Sequence, residues 1–140
     1  MKKNQNLETR TSNLGISRIL LNEPDTYNAL SLSMIQSLIE CFKTYDSDDK
    51  TKVIIIEGSG KGFSAGHNLK EVKNLKIKNK YQKLFNLCSK LMLQIVEGKK
   101  PVIAKVHGAA YAAGCQLVAS CDLAYSTNDS MFATPGVNIG

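Results

Sequence analysis

The sequence has no tryptophan, no Cys-x-x-Cys pair and, in 140 residues, no apolar run of transmembrane length. Each absence removes a class of protein. A bilayer-spanning helix needs about 20 consecutive apolar residues, and here charged residues interrupt every apolar stretch, so no membrane partner is expected. The first ten residues are polar and lack a secretory apolar segment. Lys2, Lys3 and Arg10 would suit a transit peptide, but Glu8 and the shortness of the stretch argue against one. Cys41, Cys88, Cys115 and Cys121 each lie in an apolar helix or strand pattern, which predicts buried free thiols in a reducing compartment. A cytoplasmic location is the expectation, with mitochondrial as the alternative. His67 and His107 beside these cysteines give no metal-ligand spacing, so no metal is expected.

Arginine is scarce too. The formal charge of +6 is carried almost wholly by lysine. No arginine-rich stripe, zinc spacing or aromatic RNA-binding signature accompanies it, so no nucleic-acid partner is expected. Lys70, Lys73, Lys76, Lys78, Lys80 and Lys83 fall in one expected helical stretch. They read as a solvated face, or as attraction for an anionic ligand such as a nucleotide phosphate.

What is present is an alternation of strand and helix patterns. Leu14 to Leu21 reads as a strand, and Asn22 to Asp25 as a loop by turn chemistry. Ser31 is a helix N-cap candidate, with Ile35, Leu38, Ile39 and Phe42 recurring at helical spacing to about Tyr45. Val53 to Ile56 is a β-branched run of the kind buried on both faces. Leu75 to Val96 carries one apolar helical face, stopped by Gly98 and Pro101. Val102 to Val106 is a strand, Ala109 to Ser120 a small-residue helix, and Leu123–Tyr125 and Met131–Ala133 short strands. The order predicts an α/β fold with largely parallel pairing.

Two phosphate-binding motifs fail on inspection. Around Gly58-Ser59-Gly60-Lys61-Gly62 the Walker positions hold Ile55 and Gly62, and the third glycine of a dinucleotide fingerprint falls on Phe63. Ser64 and His67 offer no third orienting group for a nucleophilic pair.

Three segments carry chemistry together. They are Asn22 to Leu30, Gly62 to Glu71, and Lys100 through Leu117 to Asp122. The second and third are small-residue turns leading from a strand into a helix. Such turns leave backbone N–H groups unpaired and let a ligand approach them closely. Two of them facing each other would hold one oxygen between two N–H groups, an oxyanion hole suited to the enolate-like charge on a thioester carbonyl. A helix starting near Ala113 would add its positive end. The alternative is that the small residues serve only close strand–helix packing.

From Leu14 to Gly140 the chain resembles the crotonase (enoyl-CoA hydratase/isomerase) superfamily. Phe63-Ser64-Ala65-Gly66 with Leu69-Lys70-Glu71 is similar to that family's first oxyanion segment, and Pro101-Val102-Ile103-Ala104 through Cys121-Asp122 to its second. Gly66 to Glu71, Ala112 to Asp122 and Phe132 to Asn138 resemble the enoyl-CoA hydratase domain-containing protein 3 subgroup. The resemblance implies a crotonase-type ββα spiral, truncated before the C-terminal helical region. It divides the chain into a polar tail, residues 1–12, and the N-terminal part of a crotonase-like domain, residues 13–140. It further implies an acyl-CoA or enoyl-CoA partner, coenzyme A only as part of the substrate, a place in fatty-acid metabolism, and a trimeric or hexameric homo-oligomer for the full-length domain. Carried over by position, the backbone N–H groups of His67 and Ala113 are the oxyanion donors. Ser64, Ala65 and Asn68 would meet the adenine, and Thr26, Tyr27 and Ala29 would border the pantetheine arm.

Two positions depart from the hydratase pattern. Where that pattern has glutamates, to activate water and to deliver a proton, this sequence has Gln116 and Gly136. Neither can exchange a proton near neutral pH, and losing a general acid or base typically lowers a rate ~100- to 10,000-fold. An acyl-CoA-binding module without hydratase turnover, or a non-functional fragment, is therefore the alternative to an enzyme of the lyase or isomerase class.

Overall fold

The computed structural model describes residues 2–4 and 6–139, with side chains from Asn6 to Asn138. Period-two alternation builds its first layer. In β3 (Ile16–Leu21) the inward residues are Ser17, Ile19 and Leu21; in β4 (Val53–Gly58) they are Ile54, Ile56 and Gly58; in β5 (Val102–Val106) they are Val102, Ala104 and Val106. With β1 (Lys2–Asn4), β2 (Leu7–Thr11) and β7 (Leu123–Ser126) these strands form a six-stranded sheet ordered β1-β2-β3-β4-β5-β7. β3, β4, β5 and β7 run parallel, whereas β1-β2 and β2-β3 are antiparallel.

Helical periodicity builds the second layer. α1 (Leu32–Ser47) starts at Ser31, whose side chain accepts from the Met34 N–H at 3.1 Å. It buries Met34, Ile35, Leu38, Phe42 and Tyr45, and burying an aliphatic or Phe side chain fully contributes about 1.5–3 kcal/mol. α3 (Lys78–Val96) packs beside it with Leu84, Cys88, Leu91, Met92 and Ile95. A smaller parallel pair, β6 (Ala109–Tyr111) with β8 (Met131–Ala133), stands apart from the main sheet. Between them runs α4 (Ala113–Ala119), and α5 (Gly136–Ile139) closes the described chain.

The α/β class, the parallel pairing of the middle strands and the Ser31 cap agree with the sequence reading; four expectations need correction. Leu7–Thr11 does not belong to a tail: it pairs along β3, and Leu7 is buried. One apolar residue among polar ones sufficed because only one face of that strand is covered. Val53 to Ile56 is not buried on both faces, since Val53 and Ile55 are half-exposed. The far face carries Glu57, paired with Lys105 at 2.9 Å and Arg18 at 3.5 Å. The lysine-rich stretch is two helices, α2 (Leu69–Asn74) and α3, separated where Lys76 takes a left-handed φ of 49°. Finally, Ala109 to Tyr111 is a strand rather than the start of α4.

Candidate functional site

The three chemistry-bearing segments meet, and Asn28 is the residue that ties them. It is fully buried with φ 53°, a left-handed conformation that Asn tolerates better than most residues. Its Nδ2 donates to the carbonyls of Ser59 (2.8 Å) and Gly62 (3.0 Å), and its Oδ1 accepts from the Glu23 N–H at 3.0 Å. Its own carbonyl accepts from the Ser64 hydroxyl at 2.9 Å. Around this knot the Ala65 N–H donates to Tyr27 O at 2.9 Å and the Leu30 N–H to Gly66 O at 2.8 Å. The third segment joins through Ser64, whose N–H donates to Ala109 O at 3.1 Å and whose carbonyl accepts from the Tyr111 N–H at 2.9 Å.

The directions of two peptide groups follow from these bonds. The described peptides are trans, and a trans peptide points its C=O and N–H opposite ways. Gly66 O faces Leu30, so the His67 N–H faces away from Leu30. Ala112 O accepts from Gln116 N–H at 3.0 Å within α4, so the Ala113 N–H points out of the helix start, where no side chain caps it. Gly66 itself lies close to the second peptide. An ideal Cβ on Gly66, whose φ is +86°, would lie 2.8 Å from Tyr111 O, 3.0 Å from Ala112 Cβ and 3.1 Å from Ala113 N. Only glycine permits that approach. Ala112 is itself strained, at φ 49° and ψ −120°, and its N–H is anchored to Ala133 O at 2.8 Å. Strain of this kind persists where surrounding structure over-determines the backbone, often at functional sites.

The remaining sequence-predicted residues divide into a rim and a backing. Thr26, Tyr27 and Ala65 are exposed at the rim, whereas Ala29 and Ser64 are buried behind it. The Ser64 hydroxyl, N–H and carbonyl all have partners inside the protein, so it positions the loop rather than facing a ligand. Asn68 caps α2, its Oδ1 accepting from the N–H groups of Lys70 (3.1 Å) and Glu71 (3.2 Å). Gln116 is exposed on α4, and Gly136 is open, with nothing within 4 Å of an added Cβ.

The His67 side chain is half-buried beneath this site. Its Nδ1 lies 3.2 Å from Leu30 O, and its ring stands edge-on to Phe85, with centroids 5.2 Å apart. Burial pushes its pKa below the ordinary histidine value, against the opposing pull of the Leu30 carbonyl and the Glu71 carboxylate. Burial also pushes the thiols of Cys41 and Cys121 up to about 12. Among the described residues no group of three His, Cys, Asp or Glu side chains could hold a metal ion, and no helix is long and apolar enough to cross a membrane.

Comparison with known proteins gives a consistent picture. The family model described as enoyl-CoA hydratase/isomerase matches residues 11–140. The chain is 52% identical over 126 residues to enoyl-CoA hydratase domain-containing protein 3, mitochondrial, of Xenopus laevis, covering 90% of this chain and 43% of that one. The Homo sapiens protein of the same name is 50% identical over 127 residues, with 90% and 42% covered. Among solved structures, an enoyl-CoA hydratase of Mycobacterium smegmatis matches with a TM-score of 0.95 at 44% identity, over 98% of this chain and 53% of that one. The crystal structure of the human domain-containing protein 3 matches at 0.92 and 44%, over 97% and 53%. The chain thus spans about half the length of the relatives it matches.

Proposed function

The chain belongs to the enoyl-CoA hydratase/isomerase (crotonase) family, and from that premise we propose that it binds an acyl-CoA thioester with the carbonyl oxygen between the N–H groups of His67 and Ala113. The observation that supports the reading is the close approach of Gly66 to the start of α4, where an added Cβ would lie 3.1 Å from Ala113 N. Two donors aimed at one oxygen stabilise the enolate-like charge of a polarised thioester, and one such donor contributes about 2.7–4 kcal/mol. Tyr27 and Ala65 form the exposed rim along which the coenzyme A arm lies, with Thr26 beside them, while Asn68 sets the start of α2 and Ala29 backs the loop. Coenzyme A enters as part of the substrate. A homo-oligomer, trimer or hexamer, belongs to the same proposal.

Hydration does not follow from this geometry. Gln116 and Gly136 stand where the family's hydratase pattern has its proton-transferring glutamates, and an exposed amide and an open glycine leave water unactivated there. The reading is therefore thioester binding and polarisation, in lipid metabolism, with hydratase turnover lost. The Xenopus and human relatives are named as mitochondrial, which favours that location over the cytoplasmic one for this chain.

Calorimetric titration with a saturated acyl-CoA tests binding, and loss of the ultraviolet absorbance of a short enoyl-CoA tests hydration. Saturable binding without hydration is expected. Absence of binding overturns the assignment, and hydration at the rate of a two-glutamate enzyme overturns the loss of proton transfer.

A further inference from the structure

We propose that the His67 imidazole is a positioning residue for the donor on its own backbone: it clamps the Gly66–His67 peptide at the angle the thioester oxygen needs. The inference rests on the acyl-CoA reading above and goes beyond it, because that reading gives the side chain no part.

The need for a clamp comes from Gly66. A peptide that follows glycine is held on one side by the residue with the widest conformational freedom. Gly66 sits at φ +86°, and its carbonyl has one tie, the Leu30 N–H at 2.8 Å. That bond belongs to an isolated parallel bridge between Leu30 and His67, a single pairing with no ladder beyond it to fix the angle of the His67 N–H.

The imidazole supplies the second tie. A carbonyl has no hydrogen, so the 3.2 Å contact between Nδ1 and Leu30 O requires a proton on Nδ1. Leu30 is then gripped at both backbone groups by consecutive residues, its N–H by Gly66 O and its carbonyl by His67 Nδ1–H. The peptide between those two attachments cannot rotate without breaking one. The edge-on Phe85 ring at 5.2 Å and 89° fixes the plane of the imidazole from α3, so the donor angle is referenced to two separate elements. Glu71 of α2, whose Oε2 accepts from the Leu32 N–H at 3.0 Å, holds the same corner from the third side.

The test uses an acyl-CoA carrying carbon-13 at the thioester carbonyl. Its chemical shift on binding reports polarisation, and calorimetry reports affinity, for the parent protein, His67→Ala and His67→Asn. Asparagine places an amide nitrogen at the same branch position as Nδ1 and restores the donor. In His67→Ala the binding-induced shift should fall to less than half of the parent's; His67→Asn should recover most of the shift. If alanine unfolds the chain, His67→Leu fills the space without donating and takes its place. A full shift in the alanine or leucine variant overturns the clamp, as does an asparagine variant no better than either. No binding by the parent protein instead overturns the acyl-CoA reading itself.

Discussion

At Gly66 one methyl group separates a close backbone approach from a clash. Alanine there would bring Cβ to 2.8 Å from Tyr111 O and 3.1 Å from Ala113 N, on a backbone with φ +86°. Overpacking typically costs 1–3 kcal/mol and left-handed strain adds to it, so Gly66→Ala should destabilise by ~2–4 kcal/mol. Gly136→Ala, with open space around it, should lie within about 0.5 kcal/mol of the parent. Urea unfolding of the pair measures both, and equal costs would refute the crowding at Gly66. Residues also differ in how legible they were. The Ser31 cap could be read because its partner, Met34, is three residues away. Asn28 could not be read as the knot, because its carbonyl partners Ser59 and Gly62 lie 31 and 34 residues along the chain. Nor could the burial of Ser64, whose small polar side chain gives no sign of a buried partner.

Between elements the same limit recurs. Strands β3, β4 and β5 and helix α1 were readable because period and apolar content agree with the fold. The division between α2 and α3 was not, since lysine and leucine are both good helix formers and nothing local marks the turn at Lys76. Its φ of 49° costs a lysine roughly 1–2 kcal/mol that glycine avoids. Lys76→Gly should therefore be neutral or stabilising by up to ~1 kcal/mol, after the added freedom of the unfolded chain is subtracted. Lys83→Gly, inside α3, should cost about 1 kcal/mol. Thermal unfolding of the two variants checks the break; equal losses would mean that one helix runs through. β6 was misread as helix because three small or mixed residues, Ala109 to Tyr111, suit either state, and pairing with β8 decided it.

For the whole molecule, the sheet and its two covering helices set where the loops can go. Parallel β3, β4 and β5 deliver the segments that follow them to one end of the sheet, the arrangement that gathers ligand-binding turns in open α/β folds. The last strands leave Leu123, Tyr125, Met131 and Phe132 exposed. The small-residue turns were legible in the sequence, while the way they meet, through Asn28 and the peptide directions, needed coordinates. A crystal structure of the protein with a bound acyl-CoA tests the central claim most directly. The thioester oxygen should lie about 2.7–3.1 Å from both His67 N and Ala113 N. An oxygen bound elsewhere, or bonded to one of these nitrogens while the other points away, would contradict the account.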